Sequence, residues 1–167
     1  LNPCLTEAQL MRAILQDFGL KSRGKDMLGL LTTLNAFLLK KMEDGENVAL
    51  LIDEAQNLSP KLMEQVRLLS NLETTHQKLI QIVLIGQPEL AQKLTDPALR
   101  QLRQRITVRY HLGPLAAEEL SAYVAHRLRM AGSDSRIVFD PKAIRLAHAY
   151  TQGIPRLINA VCDNALL

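Results

Sequence analysis

The 167-residue sequence predicts an α/β fold with a parallel sheet, followed by a smaller helical region. Three observations carry that expectation. The first is a continuous apolar run in "VALLIDEAQNLSP", residues 48–60, which ends on adjacent carboxylates and then breaks into a turn. A strand open to solvent would alternate, and an amphipathic helix would space its apolar residues by three and four. A short unbroken run fits a strand covered on both faces, as in a parallel sheet. The second is a similar run, "LIQIVLIG" at residues 79–86, separated from the first by a helical pattern. The third is a change after Gly113-Pro114, beyond which helical periodicity dominates.

Taken in order, Thr6 and Gln9 have the spacing of a capping box, and Leu10, Met11, Ile14, Leu15 and Phe18 then share a helical face that Gly19 closes. A second helix is expected over residues 26–42, with Leu30, Leu31, Leu34, Phe37 and Leu38 inward and Gly45 as its stop. After the first strand, Ser59-Pro60 is an N-cap followed by a first-turn proline, starting a helix that buries Leu62, Val66 and Leu69. The second strand ends at "GQPEL", and short helices begin at Pro88 and Pro97. In "ITVRYHL", Ile106, Val108, Tyr110 and Leu112 alternate as in a half-buried edge strand. Beyond it, "AAEELSAYVAHRLRMAG" reads as an amphipathic helix. Asp140-Pro141 caps a second helix ending near Gly153, and Pro155 opens a third, with a short extended piece at residues 137–139.

Composition narrows the function classes. A hydrophobic content of 47% supplies a core, and no apolar run approaches a membrane span. A net charge of +3 is too small to imply nucleic-acid binding by itself. Cys4 and Cys162 lack ligand spacing and read as reduced thiols of a cytoplasmic protein. No two of His76, His111, His126 and His148 share the spacing of a zinc site. No secretory or transit signal is visible.

The chemistry-bearing residues gather around strand ends. Ligands of open α/β sheets bind beyond the carboxyl ends of the strands, where Asp53 and Glu54 stand. An apolar strand ending in Asp-Glu is a Walker B pattern: the Asp holds a magnesium ion bridging phosphates, and the Glu orients or deprotonates water. The alternative is a buried strand ending on a solvated acidic turn. Gln87 closes the second strand, where a polar side chain can reach a γ-phosphate or the water; its alternative is an ordinary turn before Pro88. Arg100, Arg103, Arg105 and Arg109 surround the last expected strand and could be solvated, face nucleic acid, or reach a neighbouring subunit's nucleotide. Arg156 lies in the first turn of a helix, where the macrodipole disfavours a cation; that points to an anionic partner, or to a surface carboxylate.

Together, "LLIDEAQNLSPKLMEQVRLLSNLET", "IVLIGQPELAQKL", "LRQRI" and "QGIPRLINAVCDNALL" resemble the AAA+ ATPases, and more closely the general secretion pathway protein A family. The likeness covers essentially the whole chain. It implies Asp53 as the magnesium ligand of Walker B, Glu54 as the activator of water, Gln87 as sensor 1, Arg105 as the trans-acting finger with Arg103 as second choice, and Arg156 as sensor 2. It also implies a P-loop NTPase core over residues 1–113 and an all-helical lid over 114–167. The parent would bind and hydrolyse ATP with Mg²⁺, self-associate through the finger interface, and help assemble or localise secretion machinery at the bacterial inner membrane. Transposition-helper and origin-binding ATPases share this core, so a DNA-linked switch is the less favoured alternative, and a non-catalytic interaction module is another.

One departure stands out. A G-x-x-x-x-G-K-[ST] loop, whose backbone N–H groups and Lys hold the phosphates, is lacking. "SRGKDMLG" has Asp26 where Ser or Thr is required and falls between two helices. With no initiator Met, and with "LNPCLTEAQL" resembling the family's segment just downstream of that loop, the chain reads as a truncated AAA+ core. Such a fragment is expected to bind no nucleotide tightly. It should also either self-associate or pair its 79–86 strand with 106–112.

Overall fold

The computed structural model describes residues 5–21, 26–75, 77–133 and 137–167. Cys4, Gly24-Lys25 and His76 therefore lie outside the described residues. The chain divides into two compact units, Leu1–Arg109 and Tyr110–Leu167.

The first unit opens with α1 (Glu7–Asp17), and both halves of the predicted capping box form: Gln9 N–H donates to Thr6 Oγ1, and Thr6 N–H donates to the Gln9 side chain. Gly19, at φ 70°, closes its end. Helix α2 (Met27–Glu43) starts from Asp26, whose carboxylate accepts from Gly29 N–H, and Leu30, Leu34 and Leu38 are its buried stripe. Leu31 and Phe37 are only partly buried against that core. Strand β1 (Ala49–Ile52) follows, then a short 3-10 turn (Ala55–Asn57), α3 (Pro60–Leu69), and β2 (Gln81–Leu84). The strands pair in parallel, Ala49 with Gln81 through Ile52 with Leu84, so β1–α3–β2 is one crossover unit. Helix α4 (Pro88–Lys93) and α5 (Arg100–Arg105) complete the unit, joined by a 3-10 turn (Pro97–Leu99). Leu15, Leu34, Leu58, Leu62, Met63 and Leu69 are among the fully buried side chains of its core.

Three expectations are corrected. The sheet is not covered on both faces: Leu50 and Ile52 are buried, whereas Leu51, Val83 and Ile85 are exposed, Leu51 by 62%. The buried residues of α1, α2 and α3 cluster with Leu50 and Ile52, and no described element covers the other side. Residues 106–112 do not form an edge strand, and β2 pairs with β1 instead of with them. Val108, Tyr110 and Leu112 are exposed. Alternation makes a strand only where a ladder receives its backbone groups, and the division between the two units falls inside this segment. Residues 137–139 likewise form no strand.

The second unit contains α6 (Ala117–Met130), α7 (Pro141–Thr151) and α8 (Pro155–Leu166). Leu120 and Val124 from α6, Ile144 and Ala147 from α7, and Ile158 and Cys162 from α8 form its core. Tyr123 donates to Asn159 across α6 and α8, and Leu115 N–H donates to the Gly153 carbonyl. No helix among the described residues is long and apolar enough to cross a membrane.

Candidate functional site

The site is built where β1 and β2 end side by side. Beyond Ile52, Asp53 leaves the sheet, and its Oδ1 accepts the Glu54 N–H at 2.8 Å. Glu54 then takes a left-handed conformation, φ 53° and ψ 37°. The turn that follows is anchored from both sides. Ile85 N–H donates to the Ile52 carbonyl, extending the ladder past β2, and Ala55 N–H donates to the Ile85 carbonyl, each at 2.9 Å. Ala55 and Leu58 are buried beneath it, so the carboxylates project outward from a fixed base.

Gln87 stands directly across, as the N-cap residue of α4. Its Nε2 lies 3.5 Å from Glu54 Oε2, at the outer limit of a hydrogen bond. The structure thus brings Asp53, Glu54 and Gln87 together at the carboxyl ends of two adjacent parallel strands, all three exposed. Gln56, not singled out in the sequence, joins them: its Nε2 donates to Glu54 Oε2, and its Oε1 accepts the Gln87 backbone N–H at 3.2 Å. Lys93 is a second such residue. Its ammonium donates to the carbonyls of Gln56 and Leu58, tying the turn to α4. The only sequence signal for Gln56 is a polar residue in the turn after the Asp-Glu pair; Lys93 has none, because its partners are fixed by the fold.

The arginines are placed differently. Arg105 ends α5, is exposed, and among the described residues makes no hydrogen bond or ion pair with Asp53, Glu54 or Gln87. Its charge instead acts on Glu73, in the connection between α3 and β2. The Lys78 ammonium bonded to Glu73 holds that carboxyl below the usual carboxylate range, and Arg105 adds to the effect. Arg103 donates to the Thr95 carbonyl at 3.5 Å. Arg156 is the second residue of α8, exposed, and belongs to the second unit. In that unit burial pushes the Cys162 thiol up, with Asp163 adding to the shift.

Among the described residues no group of three or more His, Cys, Asp or Glu could hold a metal. Mg²⁺ is commonly held by one or two carboxylates together with substrate phosphates and water. Asp53 is an exposed carboxylate just beyond the end of β1.

A parallel β–α–β unit with paired carboxylates and an amide at adjacent strand ends is the arrangement of α/β proteins that bind ligands at the sheet's carboxyl edge. Residues 1–94 match the AAA domain family, and the chain belongs to it. Across its whole length the chain is also similar to the General secretion pathway protein A of Aeromonas hydrophila, at 51% identity over 170 residues. The chain spans 30% of that protein's length. Both findings agree with the resemblance drawn from the motifs.

Proposed function

We propose that this chain is part of an ATPase that binds and hydrolyses ATP with Mg²⁺ and uses the cycle to assemble or localise bacterial secretion machinery. The observation that carries the reading is the convergence of Asp53, Glu54 and Gln87 at neighbouring strand ends, with Glu54 and Gln87 within 3.5 Å. The similarity to a General secretion pathway protein A supports the secretion setting.

In this reading Asp53 holds Mg²⁺ as the Walker B carboxylate, which would supply charge neutralisation at the phosphates. Glu54 accepts a proton from, or orients, the attacking water. Gln87 senses the γ-phosphate as sensor 1. Arg105 acts on a neighbouring subunit's nucleotide, and Arg156, in a helical lid over residues 114–167, contacts the phosphates as sensor 2. Cradling of the β-phosphate usually needs several backbone N–H groups and a Lys at a helix N-terminus. The sequence contains no loop of that type, so the 167-residue chain alone is proposed to bind ATP no more tightly than about millimolar and not to turn it over.

The test is Glu54→Gln in the full-length protein. ATP binding should stay near normal while turnover falls by about a hundredfold or more. Turnover within about threefold of wild type removes Glu54 from the role, since general-base positioning is worth about 10²–10⁴ in rate.

A further inference from the structure

Gln56 occupies a place that none of the site's other residues shares. Its donor edge faces the Glu54 carboxylate and its acceptor edge faces the Gln87 backbone N–H, so one planar amide spans the ends of β1 and β2. That orientation is the only consistent one. The Gln87 backbone N–H can only donate and an ionised carboxylate can only accept, which assigns Oε1 and Nε2. The side chain is partly buried, and the backbone that carries it is held by Lys93 through the Gln56 carbonyl at 2.7 Å. Space for the amide comes from Gly86, where an added Cβ would lie 2.6 Å from Gln56 Oε1.

We propose that Gln56 is a positioning residue for hydrolysis, its amide holding the Glu54 carboxylate at the tip of β1 in the orientation that meets the attacking water. The inference rests on the reading of Glu54 as the group that activates water. Physically, the carboxylate sits at the end of a side chain with three rotatable bonds. One directional, charge-assisted donor restricts it to a small part of that freedom. A displacement of about 1 Å at such a group can cost about a hundredfold in rate.

The test uses the full-length protein with ATP and Mg²⁺, and compares Gln56→Ala, Gln56→Glu, Gly86→Ala and Glu54→Gln. In Gln56→Ala, kcat should fall about 10- to 100-fold with KM for ATP little changed. Gln56→Glu keeps an acceptor for Gln87 but sets a like charge against Glu54. A bridge serving only to tie the strands would survive it, whereas positioning by donation would not. Gly86→Ala displaces the amide without altering it and should lower kcat in the same sense, which keeps the test open if Gln56→Ala folds poorly. The double variant Gln56→Ala/Glu54→Gln should be no slower than Glu54→Gln alone. Without nucleotide, hydrogen exchange at the Gln87 amide should quicken in Gln56→Ala and stay unchanged in Glu54→Gln. A Gln56→Ala kcat at or above wild type, beside an inactive Glu54→Gln, overturns the inference and leaves the base reading intact. Independent losses that add in the double variant also overturn it. If Glu54→Gln itself retains turnover, the base reading fails and this inference with it.

Discussion

Two non-glycine residues among those described carry a positive φ, Glu54 and Gln152. The left-handed region costs an ordinary residue about 1–2 kcal/mol, so each must be held there by its surroundings. At Glu54 the holding contacts are visible: Asp53 Oδ1 takes its N–H, and its own carbonyl accepts from Asn57. A strained backbone at the residue proposed to activate water fits the tendency of such strain to gather at functional sites. Gln152 is the C-cap residue of α7, just before Gly153, and its N–H donates to the His148 carbonyl. Gly153 is the more exacting position, at φ 74° with an added Cβ only 2.1 Å from the Leu115 carbonyl oxygen. Gly153→Ala should therefore destabilise the second unit by about 2 to 4 kcal/mol, from backbone strain plus overpacking. Denaturant unfolding followed by the helical signal checks this, and a loss below about 0.5 kcal/mol means that the turn relaxes freely.

At the scale of elements, helix starts dominate the first unit. Thr6, Asp26, Ser59 and Asp96 each accept from a backbone N–H at the beginning of a helical segment. Ser59 matters most for the site, because α3 begins there and links β1 to β2. Its Oγ accepts from Leu62 N–H at 3.3 Å, with Pro60 in the first turn. Ser59→Ala should cost about 1 kcal/mol of unfolding free energy, and Ser59→Gly only a few tenths, because glycine leaves the N–H groups open to water. Equal losses in both variants would assign the effect to something other than capping. The sheet follows another rule. With helices packed on one side, β1 reads exposed-buried-exposed-buried although its sequence is uniformly apolar.

At the scale of the whole molecule, the proposed activity places Arg105 at a boundary between copies. It is exposed at the end of α5, and among the described residues no hydrogen bond ties it to the Glu54–Gln87 pair. A finger acting in trans contributes about 10³–10⁵ to turnover in comparable phosphoryl-transfer systems. Full-length Arg105→Ala should be correspondingly slow, and mixing it with Glu54→Gln should restore part of the activity, because each subunit can complete the other's site. The ratio-dependence of ATP turnover in such mixtures is the measurement. Absence of rescue at every ratio would mean that Arg105 does not act across an interface.

Local signals in the sequence determined the helices, their caps and the two strands. Thr6 with Gln9, Ser59 with Pro60, and the apolar runs before Asp53 and Gln87 act over a few residues, and local propensity decides such features wherever neighbours do not oppose it. The same runs placed Asp53, Glu54 and Gln87 at strand ends. The tertiary structure alone decided the rest. An open sheet face, the lack of a ladder for residues 106–112, and the Gln56 bridge to Gln87 across 31 positions all depend on which elements meet in space. A continuous apolar run is compatible with one covered face or two, and an alternating segment with a strand or with none. Only the packing partners distinguish these outcomes, because burial and hydrogen-bond pairing belong to contacts between distant residues and not to any residue by itself.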